Sequence, residues 1–156
     1  MIFGLTVSGC SQDNPGLSAT LNQSASLIGE LPANPLKWKV ITSGVSTTDS
    51  TMFTLYGNDI AVQCARTDSR HNYPNGSAIS LVTWTQQEDG RWFGAKIPNQ
   101  VESVEFVSVG TATDGRPSYS YQKFEGTPLK RTSVQDERAQ ADRAAELLSR
   151  RAAMMP

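Results

Sequence analysis

The sequence has little of what most metal and redox sites are made from: one histidine, His71, and two cysteines, Cys10 and Cys64, in 156 residues. The cysteine separation fits no metal-binding motif, and two thiols make no disulfide framework. A run of 18 or more apolar residues is missing, which excludes a membrane-spanning helix. Long basic runs are missing too. With 14 basic and 15 acidic residues the formal net charge is −1, and a cluster as short as Lys130–Arg131 tracks no phosphate backbone, so nucleic acid is excluded as a partner. There is no glycine-rich phosphate loop, nucleophile elbow or internal repeat. Apolar residues reach only 38%, and the shortfall sits mainly in the first 35 residues, rich in Ser, Asn, Gln and Pro. The length suits one domain, which at this size buries about 70% of its unfolded surface and needs no disulfide to hold it.

What is present begins with an export-like segment. Residues 1–10 form an apolar stretch ending in Val7-Ser8-Gly9-Cys10, similar to a lipoprotein signal whose cysteine is acylated and becomes the new N-terminus. No basic n-region precedes it, so this reading expects sequence upstream of Met1. The plainer alternative is an unstructured start with a chance cysteine. Residues 11–35, with breaks at Asn14-Pro15-Gly16 and Leu31-Pro32-Ala33-Asn34-Pro35, read as a flexible tether. The domain is then expected over 36–156, on a periplasmic, lipid-anchored protein.

Within the domain, Leu36, Trp38, Val40 and Thr42 alternate with Lys37, Lys39, Ile41 and Ser43, which predicts a strand ending at Gly44. Thr51–Tyr56 is a second strand, and Asn58 or Asp59 caps a short helix over Ile60–Arg66. Ala78–Trp84, apolar on both faces, reads as a central strand. A hairpin turn at Gln87–Gly90 leads to a return strand from Arg91 to Ile97 that stops at Pro98. Val101–Val109 follows, with Val101, Val107 and Val109 on one face, and Ser118–Phe124 is the last strand. Ser133 with Asp136 forms a capping-box pattern opening a helix over 133–155, whose apolar stripe is Ala141, Ala145, Leu148, Ala152 and Met155. The fold class is α+β: an antiparallel sheet of about five to six strands with the two helices packed on it.

Three blocks of this sequence resemble the cytochrome P-460 family in order and spacing. They are Thr54–Val62, with its Tyr56-Gly57-Asn58; Tyr73-Pro74-Asn75-Gly76 with the strand that follows; and Val104–Val107 with Tyr119–Gly126. Known members are periplasmic c-type haem proteins that oxidise hydroxylamine or bind small gases such as nitric oxide. The resemblance implies haem held by a C-x-x-C-H motif near the C-terminus, with a lysine cross-linked to the porphyrin in the hydroxylamine-oxidising type. This chain departs from the pattern where that motif falls: no cysteine or histidine follows His71, and thioether attachment has no thiols to use. Lys37, Lys39 and Lys96 match no local cross-link motif.

The remaining donors toward a haem iron are His71, Cys64 and Tyr56. Each has a plainer role: a solvated loop imidazole, an inert core thiol and a packing phenol. Tyr119 and Tyr121 have the same alternative. Trp38, Trp84 and Trp92 read as core or sheet-face aromatics, and Asp59, Glu102, Glu105 and Glu125 as scattered carboxylates. The expectation is therefore a haem-free binding or scaffold relative in the cell envelope, carrying a lipid on Cys10, without metal, and pointing away from an enzyme. The alternatives are a non-covalent haem protein, an oxidoreductase of the hydroxylamine-oxidising type if catalytic, or a plain interaction lipoprotein. A small ligand or haem is the expected partner, and the oligomeric state, a dimer included, stays open.

Overall fold

In a computed structural model, residues 22–68, 70, 72–133 and 136–153 are described. Cys10, His71 and Met155 lie outside the described residues. Six strands follow one another as an antiparallel meander in chain order. They are β1 (Lys39–Ser46), β2 (Thr51–Gly57), β3 (Ala78–Glu88), β4 (Lys96–Thr111), β5 (Pro117–Glu125) and β6 (Lys130–Thr132). Helix α1 (Asp59–Thr67) lies between β2 and β3, and α2 (Glu137–Ser149) follows β6. This is the expected α+β arrangement, with β3 central as its two apolar faces require.

The sheet has two covered faces. On one, Leu55, Ile79, Leu81, Val107 and Val109 meet Ala61, Val62 and Cys64 of α1 and Ala144, Leu147 and Leu148 of α2. Leu147 is wholly buried, and such burial contributes about 2 kcal/mol. On the other, Val82, Trp84, Val104, Phe106, Phe124 and Leu129 form a second core. Its cover is the segment 25–38, through Ala25, Leu27, Leu31, Ala33 and Trp38.

That cover corrects the tether expected over 11–35. From Asn22 onward the segment is docked: the Trp84 indole donates to the Ala25 carbonyl at 3.0 Å, and the Leu129 amide donates to the Ile28 carbonyl at 2.7 Å. A few apolar side chains in a polar stretch are enough when a sheet face awaits them.

Three strand expectations change for one reason, local register. Leu36 sits in a 3-10 turn, Pro35–Lys37, and β1 runs through Gly44 to Ser46. Val40 pairs with Tyr56 and Thr42 with Leu55, so Ile41 is an extra residue that breaks the alternation. Ile41 is buried on the helix-covered face at 3% exposure, and Val40 stays 47% exposed. Arg91–Ala95 is a loop, and the two strands expected on either side of Pro98 are one strand, β4. Pro98 opposes Gln86 where the β3–β4 register slips, a place where a missing N–H costs no ladder bond. A second irregularity near Glu102 moves Val101 to the face of Val104 and Phe106, away from Val107 and Val109.

Helix α2 is shorter than the expected 133–155 and is rotated from its expected stripe. Asp136, rather than Ser133, caps it by accepting from the Arg138 amide at 2.9 Å. The buried positions are Ala144, Leu147 and Leu148, whereas Ala141 and Ala145 face solvent. Small alanines mark a helix face weakly, and the leucine pair decided it.

Candidate functional site

Glu105 stands in the middle of β4 between Val104 and Phe106 and is 3% exposed. A carboxylate so placed needs partners. The Arg143 guanidinium of α2 supplies two hydrogen bonds, Nε to Oε2 at 2.8 Å and Nη2 to Oε1 at 2.7 Å. The Tyr121 hydroxyl of β5 donates a third, at 2.5 Å to Oε2. Arg143 also bonds Glu146, which in turn takes Arg150 at 3.0 Å. The Arg150 guanidinium lies over the Phe53 ring, 4.7 Å from its centroid. The network thus bolts α2 across the sheet from β5 to β2.

Burial alone would raise the Glu105 pKa. Hydrogen bonds from Arg143 and Tyr121, with the nearby positive charges, outweigh it and hold the carboxyl below its usual range. Burial and the Glu105 bond push the Tyr121 phenol well above its usual value. The group is a fixed ion pair with a neutral phenol, built to hold geometry. Glu105 is recognisable in the sequence as a lone acid in an apolar strand. Arg143 is not, because the five cations and acids of α2 look alike until the helix is rotated into place.

Of the three donors toward a haem iron, the two that are described do not converge. Cys64 is buried under α1 on the helix-covered face, and burial, with Asp68 next in effect, raises its thiol pKa. Tyr56 lies on the opposite face, packed against the second core, and burial raises its phenol too. Both donors are thus protonated at neutral pH, on opposite sides of the sheet. His71 lies outside the described residues. Trp38 and Phe106 meet edge to face at 6.1 Å, as do Phe106 and Phe124 at 5.8 Å, so these aromatics are core packing as expected. Trp92, by contrast, is 70% exposed.

Two open clefts flank β6. One, of about 500 Å³, is lined by Gly29, Glu30, Phe124, Pro128, Leu129, Lys130 and Arg131. The other, of about 330 Å³, is lined by Tyr121, Gln122, Lys123, Arg131, Thr132, Ser133 and Gln140. Arg131 borders both, and among the described residues neither it nor Lys130 has a carboxylate partner.

Two of the blocks that carry the resemblance, Thr54–Val62 and Tyr73–Gly76 with the strand that follows, are joined by one side chain. Asn58 Oδ1 accepts from the Ala61 amide at 3.0 Å, capping α1, and from the Ala78 amide at 3.2 Å. Its Nδ2 donates to the Gly76 carbonyl at 2.8 Å. The Gly76 amide reaches the Val109 carbonyl at 3.0 Å, and the Val109 amide the Ser77 carbonyl at 2.8 Å. Gly76 takes φ +85°, the turn position that Asn-Gly favours. A family model for cytochrome P460 matches residues 32–144, a span that takes in all of this framework. The chain belongs to the cytochrome P460 family. No curated protein matches the chain significantly.

The family name implies haem. In this P460 member the sequence holds no thiol pair beside a histidine for covalent c-type attachment, and Cys64 and Tyr56, on opposite faces of the sheet, do not serve one iron together. Among the described residues, no group of three His, Cys, Asp or Glu side chains is placed to grip a metal ion.

Proposed function

We propose that this chain is an exported P460-family protein that has given up haem and acts as a binding or scaffold module of the cell envelope, held at the membrane by an acyl chain on Cys10. The observation that carries this reading is the replacement after β5. Where the family pattern calls for C-x-x-C-H, this chain runs through β6 into α2, and Arg143 of α2 fills the sheet's one buried acid site at Glu105. A segment committed to closing the core has no freedom left to carry a porphyrin. The binding function then falls to the larger cleft beside β6, lined by the apolar Phe124 and Leu129 and by two cations, Lys130 and Arg131, against one acid, Glu30. That chemistry suits a small ligand joining an apolar body to a negative charge.

The test is the absorption spectrum of protein expressed with haem supplied. The proposal expects no Soret band. A Soret band with stoichiometric iron overturns it. Haemin titration of the purified chain addresses the non-covalent alternative: weak, non-saturating changes that persist in His71→Ala end that alternative, and saturable binding lost in His71→Ala establishes it. For the cleft, Arg131→Glu should abolish binding of small amphipathic anions while leaving the fold intact.

A further inference from the structure

The β3–β4 hairpin ends in a loop that carries two exposed aromatic side chains. Trp92 is 70% exposed and Phe93 fully so. The loop is ordered by its own bonds: the Asp89 amide donates to the Ala95 carbonyl at 2.9 Å, and the Ala95 amide closes a turn on the Trp92 carbonyl at 3.0 Å. Asp89 Oδ1 accepts from the Arg91 amide at 2.8 Å, and Gly94 takes the turn's positive-φ corner at +76°. The aromatic pair is therefore held out at the apex by a formed turn. Trp and Phe so displayed cost hydration that a core would have recovered.

The position of the chain's entry says what meets them. The Asn22 side-chain amide donates to the Pro98 carbonyl, and Pro98 opposes Gln86 two pairs below the end of the hairpin. Pro98 is five residues from Phe93, at most about 17 Å along an extended strand. The described chain thus enters at the same end of the sheet that carries the aromatic tip. The twelve residues from Cys10 to Asn22 reach at most about 40 Å. An acyl chain on Cys10 would bring that end of the domain to the bilayer. Charge at the hairpin is balanced, with Glu88 and Asp89 against Arg91 and Lys96, and Lys96 is paired with Glu88 at 2.9 Å. An anionic surface gains nothing there, whereas an interfacial layer that takes up Trp and Phe does.

We propose that Trp92 and Phe93 form a membrane-contact tip that inserts at the lipid interface and sets the orientation of the anchored domain. The orientation rests on the lipoprotein reading of Cys10. The insertion is tested without it, on the full chain carrying Cys10→Ser, with phosphatidylcholine vesicles containing brominated acyl chains. Tryptophan emission should be quenched and the protein should sediment with the vesicles, with little change as salt is raised. Trp92→Ser/Phe93→Ser should weaken vesicle binding on the order of tenfold or more and leave circular dichroism unchanged. Absence of quenching in the parent chain overturns the proposal, and is the result expected if the tip serves a protein partner. Mass spectrometry of the unsubstituted protein from bacterial membranes reports on Cys10 separately. Quenching with no acyl group on Cys10 leaves the tip standing and removes the anchor. An acylated protein without quenching removes the tip and leaves the anchor.

Discussion

Arg143 and Glu105 meet 38 positions apart in the sequence through two hydrogen bonds of 2.8 and 2.7 Å, and this contact makes the last helix part of the sheet's core. The two sides of the pair differ in exposure: the Glu105 side chain is 4% exposed and that of Arg143 33%. Removing the arginine therefore leaves a buried charge with only Tyr121 and distant Lys123 to support it. Arg143→Ala should cost about 3 kcal/mol in urea unfolding, in line with broken buried pairs. Glu105→Leu combined with Arg143→Met should recover most of that loss, because the pair's own desolvation cost disappears with it. Equal instability of the single and double variants would mean that the pair is not the bolt.

The same network sets an acid limit. Glu105 and Glu146 both hold their carboxyl groups below the ordinary value of 4.5, each against the opposing effect of burial. A depressed folded-state pKa means that the folded protein binds fewer protons than the unfolded chain. The stability is fully present above about pH 4.5 and is lost as pH falls through the folded-state values. Urea midpoints measured downward from neutral pH should stay level and then drop, and the Glu105→Leu/Arg143→Met variant should show a shallower drop. On the alkaline side, burial, and next the charge of Cys64, push Tyr73 up to about 12. The folded state then holds a proton that the unfolded chain releases near 10, so stability should decline between those values.

Asn58 joins three parts of the chain with one side chain, and its replacement should show it. Asn58→Ala removes the α1 cap and leaves the Ala78 amide and Gly76 carbonyl without their partner. A cap alone contributes about 1 kcal/mol, and the added unpaired groups should bring the loss to about 2–3 kcal/mol. Asn58→Asp keeps the acceptor and loses only the donor to Gly76, so its melting temperature should fall between those of Asn58→Ala and the parent.

The strands β1, β2, β3 and β5, the α1 cap and the central place of β3 were legible in the sequence, because β-rich runs, an Asx before an apolar helix and a strand apolar on both faces each have a local cause; the three-residue β6 offered no such run. What escaped depended on register or distance. Ile41 and Val101 sit beside strand irregularities that reverse the alternation, and a periodic reading has no means to see an extra residue. The face of α2 was ambiguous because alanines and leucines both recur at helical spacing. Of the site residues, Glu105 carried a signal in its apolar surroundings. Arg143 carried none, since its role exists only once α2 lies on β4. The docking of residues 22–35 was equally hidden, as its few apolar side chains matter only against a sheet face built far downstream.

Ile41 offers the sharpest check on which residues of β1 are buried. It is 3% exposed and Val40 is 47% exposed, the opposite of simple alternation from Leu36. Ile41→Ala should cost about 3 kcal/mol through lost burial and the cavity it leaves. Val40→Ala should stay within about 0.5 kcal/mol, as surface substitutions do. Gly57 faces the same isoleucine: a Cβ there would lie 2.7 Å from Ile41 Cδ1 and 3.1 Å from the Ala61 Cβ. Gly57→Ala should therefore destabilise by about 1–2 kcal/mol through overpacking. Combining it with Ile41→Val shortens the side chain that the new methyl meets, so the double variant should be more stable than the sum of the two single effects. Strict additivity in that cycle, or a larger cost at Val40 than at Ile41, would place Ile41 outside the core.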